Sequence, residues 1–397
     1  MIEKSISEYF ARSGASMADT SLLEGSTATA VVYDGPEAFR LESIPLPDLG
    51  PGELLVEIEM AGVDGSELHM FRGEFDHLNK RAPLIFGDEI IGRVVASGSP
   101  SERDVKVGDR VTVEARWPCA GCLLCDRGQY YLCENNPNRE GYGQISMSKA
   151  PGLWGGYASH VFVPKAALVY RVPEALDLGS ALVGCSVLAN GLRWNNFAGI
   201  GAGDRVAVLG PGPQGLACAA VAHRAGAKVI VIGVEHDSER LAAATRLGAE
   251  AALTLVPGEE DQLLDQVREV VDEVDYVIEA SGAGSAKALA IRLVRHQGTI
   301  VNVSVSGTAP ADWMAFLRKE VTIMHALSHP HTVEAALELA VEMKNEGTDL
   351  GELITHRFDL SEAAHAIQVA SFNTDERPIK VVLVPSSTGD SEGGESA

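Results

Sequence analysis

The chain has 397 residues, 46% of them hydrophobic, and a formal net charge of −23 at neutral pH. That length and apolar content supply two cores of ordinary domain size. The acidic excess reads as a solvated face and excludes nucleic acid and anionic membrane as partners, since both need a basic surface.

The first 27 residues are polar and Ser-rich, with a short helix expected around Ile6 to Phe10 and no motif. The opening MIEKSISEYFARSG lacks the basic start and apolar segment of a secretion signal, and no apolar run reaches membrane-spanning length, so the expectation is a soluble cytoplasmic protein. From residue 28 to about 180, short alternating or β-branched segments such as ELLVEIEMAGV, IIGRVVASG and DRVTVEA are broken by Gly, Pro and Asp, which is an all-β pattern. Within it lies CAGCLLCDRGQYYLC, with Cys119, Cys122, Cys125 and Cys133 spaced C-x2-C-x2-C-x7-C. Four thiolates from one loop close a tetrahedral zinc shell at about 2.3 Å with no open position, which is a structural site. The alternative, disulfides or free core thiols, sits poorly with an intracellular chain whose cysteines crowd into one loop.

After Leu192 strands and helices alternate: RVAVLG, an Ala-rich helix, KVIVIG, a helix ending in RLGAE, then DYVIEASG and GTIVNVSV. This predicts a parallel, doubly wound sheet. From about Ile323 the chain gives one more helix, VEAALELAVEMKNEG, and a last strand, IKVVLVP. The final SSTGDSEGGESA holds no large apolar side chain and is expected to be disordered.

RVAVLGPGPQG places Gly210, Gly212 and Gly215 between a predicted strand and a predicted helix. Gly210 allows the tight turn, Gly212 lets backbone approach a pyrophosphate, and Gly215 lets the helix pack on the strand while its amides face the phosphates. The cofactor implied is a dinucleotide.

Taken together, AGVDGSELHMFRG, the four-cysteine loop, GPGPQG and ITHRFDL resemble the zinc-containing medium-chain dehydrogenase/reductase family, the relatives of alcohol, sorbitol and threonine dehydrogenases, over about Ala28 to Pro385. The resemblance implies an α/β chain: a GroES-like β-rich catalytic domain (28–185 and 326–385, with a structural zinc lobe at 117–135) plus a doubly wound Rossmann domain (186–325). The extension (1–27) and the tail (386–397) flank these. It also implies a small-molecule substrate in a cleft between the lobes, and a homodimer or homotetramer in which the edge strand GTIVNVSV pairs across a two-fold axis.

In the family an acidic residue ends the second strand of the dinucleotide-binding sheet and holds the adenosine ribose. Here Gly233 takes that position, with Glu235 and Asp237 following in a loop two residues longer. Glu235 falls about 20 residues past the last glycine, where a ribose acceptor is expected. No Arg or Lys adjoins Gly233 to pair a 2′-phosphate, and Arg240 is assigned to the next helix. NAD is therefore favoured over NADP. Lys380 matches the family's basic residue near the pyrophosphate; the alternative is an exposed strand lysine.

The catalytic positions depart from the family. Its C-G-[ST]-D-x-H supplies a zinc thiolate, a relay hydroxyl, a carboxylate and a proton-accepting histidine, and its G-H-E supplies the zinc imidazole. This chain has Asp64 in place of the thiolate and Asp88 in place of the imidazole, while Ser66, Glu67, His69 and Glu89 match the rest and Cys185 matches the third ligand. Two physical readings follow. Asp64, Asp88 and Cys185, with Glu89 in reserve, bind a second, harder zinc site. Otherwise the catalytic metal is absent, one of two facing carboxyls keeps a proton near neutrality, and that acid serves the substrate. Simpler roles stand beside these: Ser66 as helix cap, Asp64 and Asp88 as hydrogen-bond acceptors, His69 as a surface residue, Cys185 as a buried thiol. Cys218 reads as core, and His325, His329 and His331 either line the cofactor site or do nothing. Trp117, Trp154 and Trp194 are candidates for the pocket wall.

The expected function is hydride transfer between NAD(P)(H) and a small alcohol/carbonyl pair, with a structural zinc. A metal-free reductase of an activated C=C or C=N bond, using Asp64 or Asp88 as acid, is the first alternative. A catalytically inactive binding protein on the same fold is the second.

Overall fold

The computed structural model describes residues 25–98, 103–136, 140–305 and 311–386. The helix expected near Ile6 and, apart from Ser386, the expected disordered tail lie outside these residues. The chain forms two compact units, 1–174 with 356–397, and 175–355.

The first unit opens with an antiparallel pair, β1 (Thr27–Gly35) and β2 (Ala38–Pro45), and then β3 (Leu54–Val63). The near-continuous apolar run of β3 fits a strand with little solvent on either face, and only Glu57 and Glu59 escape full burial. Helix α1 (Gly65–Phe71) follows at once, started by Asp64. Then come β4 (Leu84–Ile85), β5 (Ile90–Ser97), β6 (Arg110–Val113), β7 (His160–Val163) and β8 (Val169–Arg171).

The second unit begins with consecutive helical segments, Leu178–Leu182, Val183–Leu188 and α2 (Ala189–Ala198). A parallel sheet follows, built from β9 (Arg205–Leu209), β10 (Lys228–Gly233), β11 (Ala251–Thr254), β12 (Val274–Glu279), β13 (Val294–Asn302) and β14 (Thr322–His325), in the order β11-β10-β9-β12-β13-β14. Its helices are α3 (Pro213–Arg224), α4 (Ser238–Arg246), α5 (Glu260–Val270), α6 (Gly284–Leu293), α7 (Trp313–Lys319) and α8 (Val333–Asn345).

The chain then runs through β15 (Ile354–Phe358) and α9 (Ala363–Ala370) to β16 (Lys380–Leu383), which pairs antiparallel with β3 as the resemblance implied. The large sheet is ordered β15-β16-β3-β5-β6-β8, with β7 also on β3.

Two expectations need correction. GTIVNVSV is not an edge strand: it falls in β13, between β12 and β14, because the short segment TIMH adds one more parallel strand and takes the edge. The division of the chain also differs from that expected. Residues 175–185 and 326–355 go with the second unit, since the 178–198 helices pack on α3 and α8: Asn195 Nδ2 donates to the Cys218 carbonyl (3.2 Å) and Thr332 Oγ1 to the Ala189 carbonyl (2.9 Å).

Candidate active site

The first constellation is a nest of carboxyl groups in the first unit. Asp64 ends β3 and caps α1: its Oδ1 accepts from the Glu67 amide (3.0 Å) and the Ser66 hydroxyl (2.8 Å), while Glu67 Oε2 accepts from the Asp64 amide (3.0 Å). This capping box places the cap at Asp64 rather than at Ser66, because Ser66 already lies inside the helix. The Glu67 carboxyl is 3% exposed and also accepts from the Tyr157 hydroxyl at 2.5 Å. Burial, then the charges of Asp64 and Asp88, push its pKa well above the usual carboxylate range, against the pull of Tyr157 and of the Asp64 amide.

Asp88 is half-buried, and its pKa is pushed up to about 7 by burial and by the charges of Asp64 and Glu89, with Arg116 and Lys380 opposing. Glu89 is buried and forms an ion pair with Lys380, whose Nζ also donates to the Val63 carbonyl (3.0 Å). Burial alone would pull the Lys380 pKa down, but Glu89, Asp64 and Glu67 outweigh it and leave it raised. Lys380 is 3% exposed, which removes the exposed-strand alternative. A Cβ on Gly62 would stand 1.8 Å from Glu89 Oε2, so any larger residue there would push the Glu89 carboxyl out of its place beside Lys380. His69 is half-buried, its Nδ1 2.6 Å from Glu74 Oε2. Trp117 and Trp154 stack in this unit with ring centroids 6.4 Å apart.

The second constellation is the cysteine loop. One ligand atom from each of Cys119, Cys122, Cys125 and Cys133 lies within 4.8 Å of the others, the one such group of metal-ligating side chains among the described residues. Backbone amides point at the sulfurs, Cys119 N to Cys125 Sγ (3.4 Å) and Cys125 N to Cys122 Sγ (3.5 Å), as does Asn135 Nδ2 to Cys119 Sγ (3.3 Å). Donors aimed at sulfur suit thiolates, so the donor set fits zinc. Glu114 buttresses the loop by accepting from the hydroxyls of Tyr130 and of Tyr170 (3.0 Å).

The third is the glycine loop of the second unit, between β9 and α3. Gly210 has φ +96°, and a Cβ there would lie 2.8 Å from Ser281 Cα; a Cβ on Gly215 would lie 1.9 Å from the Gly210 carbonyl oxygen. At Gly212, the N-cap of α3, a Cβ would meet nothing within 4 Å, which leaves the backbone open to a ligand at the helix N-terminus. The loop therefore fits a pyrophosphate. Gly233 ends β10, Glu235 is exposed, and Asp237 is 6% exposed. Cys185 is buried in the same unit and bonds to the Leu182 carbonyl (3.4 Å). Cys218 is fully buried, as expected, and burial pushes its thiol up to about 12. His329 Nδ1 is 3.1 Å from Asn190 Oδ1, His325 Nδ1 3.1 Å from Asn302 Nδ2, and Trp194 Nε1 donates to the Ser328 carbonyl (3.1 Å).

Sequence reasoning missed Tyr157 and Gly62. Tyr157 offered only the signal of a tyrosine after two glycines in LWGGYASH.

An alcohol dehydrogenase GroES-like domain matches residues 50–174, and a zinc-binding dehydrogenase domain matches residues 213–342. A probable alcohol dehydrogenase of Mycobacterium tuberculosis is 33% identical over 80% of this chain and 88% of its own. The crystal structure of an alcohol dehydrogenase from Thermotoga maritima covers 91% of this chain and 100% of its own at 27% identity, with a TM-score of 0.81. A zinc-binding dehydrogenase from Sinorhizobium meliloti, bound to NADP, covers the same shares at 27% identity and a TM-score of 0.75. The chain belongs to the zinc-type medium-chain dehydrogenase/reductase family. It is an NAD(P)-dependent oxidoreductase of the alcohol dehydrogenase type. Among the described residues no helix is long and apolar enough to cross a membrane.

Proposed function

We propose that this enzyme moves a hydride between a nicotinamide cofactor, with NAD favoured, and a small alcohol/carbonyl pair, using a protonated carboxyl where its relatives use a metal. Gly210, Gly212 and Gly215 would hold the cofactor's pyrophosphate, and its nicotinamide would supply or take up the hydride. Asp88 supplies the proton. The observation that carries this reading is the Asp88 pKa near neutrality beside the Asp64 charge, in a nest whose other carboxylates are already engaged. Below about pH 7 Asp88 holds its proton and can give it to a carbonyl oxygen; above it the ionised form can only accept one. Ser66, bonded to Asp64, and His69, bonded to Glu74, are the groups that would link the pair to solvent.

In this reading Cys119, Cys122, Cys125 and Cys133 hold one structural zinc, which cross-links their loop. A second zinc on Asp64, Asp88 and Cys185 is disfavoured: one Asp64 oxygen already takes two hydrogen bonds, and Glu89, the reserve ligand, is bound to Lys380. A protonated Asp88 equally suits reduction of an activated C=C or C=N bond, so enones and imines belong in the same substrate screen as carbonyls.

Carbonyl reduction should fall as pH rises through about 7 in the wild type, and Asp88→Asn should remove that limb. An unchanged pH–rate profile in both Asp88→Asn and Asp64→Asn would end this reading. The proposal includes a cytoplasmic location, supported by six cysteines that form no disulfide. It also includes a homodimer or homotetramer joined through β14, the true edge strand, beside exposed Trp313, Met314 and Leu317. An edge strand pairing with its own copy across a two-fold axis is self-complementary.

A further inference from the structure

The carboxylate beside the cysteine loop joins three stretches of chain. Glu114 directly follows β6, is 4% exposed, and has both oxygens engaged: Oε1 accepts from the Tyr130 hydroxyl and Oε2 from the Tyr170 hydroxyl (3.0 Å). Tyr170 belongs to β8, which pairs with β6, so that bond stays within the sheet. Tyr130 belongs to the loop itself, between Cys125 and Cys133. It is 4% exposed, its side chain packs in one buried cluster with Cys122, Cys125 and Cys133, and its carbonyl accepts from the Cys133 amide (3.0 Å). The Glu114 amide donates to the Leu168 carbonyl (3.0 Å), and Leu168 packs against the same cluster. One buried side chain thus ties the segment that carries the fourth cysteine to the large sheet.

We propose that Glu114 is a positioning residue for the structural metal: by holding Tyr130 it keeps Cys133 in the thiolate shell and sets how long the zinc stays bound. This rests on the reading of the cysteine loop as a zinc site. Cys122 and Cys125 are fixed locally, because Cys122 caps the turn Leu123–Asp126 through the Cys125 amide. Cys133 comes after the longest gap in C-x2-C-x2-C-x7-C and takes its place from the turn at Tyr130–Leu132. It is therefore the ligand whose position depends most on a contact from outside the loop. Removing a group that holds metal ligands in place commonly changes metal affinity by about 10- to 100-fold. The hydrogen bond in question runs to a buried carboxylate, which is the stronger kind.

The test is zinc release from the full chain to excess 4-(2-pyridylazo)resorcinol, followed by absorbance, in wild type, Tyr130→Phe, Glu114→Ala, Glu114→Gln and Tyr157→Phe, with thermal melting of each to confirm folding. Tyr157→Phe is the control for general destabilisation, since it removes a phenol from another buried carboxylate, that of Glu67, outside the loop. The expected result is release about tenfold or more faster in Tyr130→Phe and Glu114→Ala, and the wild-type rate in Tyr157→Phe. Glu114→Gln, whose amide oxygen still accepts from the Tyr130 hydroxyl, should release zinc at a rate nearer wild type. Wild-type release from folded Tyr130→Phe, or an equal acceleration in Tyr157→Phe, would overturn the assignment and leave the zinc site standing. A wild-type chain without zinc would overturn both.

Discussion

The thiol loop and the carboxylate nest each gather four acidic side chains into a small volume, from opposite kinds of sequence. The four cysteines come from one run, Cys119 to Cys133, and the chemistry their grouping suits is soft coordination. The nest draws Asp64, Glu67, Asp88 and Glu89 from around β3, α1 and β5, and is balanced by Lys380, which donates to Val63 across 317 positions of sequence. Where ligands are local, spacing declares the chemistry. Where charges are brought together by the fold, motif position names the acids, and the way they are balanced appears when the strands pair.

That contrast can be broken first at Lys380. Lys380→Ala should cost about 3–5 kcal/mol of stability in urea unfolding, since it removes the ammonium paired with the buried Glu89 carboxylate. Lys380→Met combined with Glu89→Gln should recover most of the loss; a single variant with wild-type stability would show that the nest does not depend on its cation. Tyr157→Phe sharpens the same point more gently. It removes one of the hydrogen bonds to Glu67 and should cost about 1–3 kcal/mol, with the other bond, from the Asp64 amide, retained. No change on melting would mean that the Glu67 carboxyl is satisfied without the phenol.

Much of the architecture was legible because its signals are periodic and local. After the exposed Lys228, VIVIG is apolar throughout because the rest of β10 is buried on both faces, and the glycine spacing of 210, 212 and 215 follows from contacts that forbid or leave room for a Cβ. The edge strand was not legible: TIMH has four residues and mixed polarity, and only its pairing with β13 identifies it. At the site, the positions of Asp64, Asp88 and Glu89 were readable, but the raised pKa of Asp88 was not. It depends on burial that no local pattern encodes and on the charges of Asp64 and Glu89, with Arg116 and Lys380 opposing.

The most direct measurement is zinc stoichiometry by elemental analysis on protein purified without added metal, in wild type and in the Cys119→Ser, Cys122→Ser variant. The account predicts a single zinc per wild-type chain, lost in the variant, beside hydride-transfer activity in the wild type. Two zinc ions per active wild-type chain would contradict it, because a second metal would then stand where Asp88 is assigned the proton.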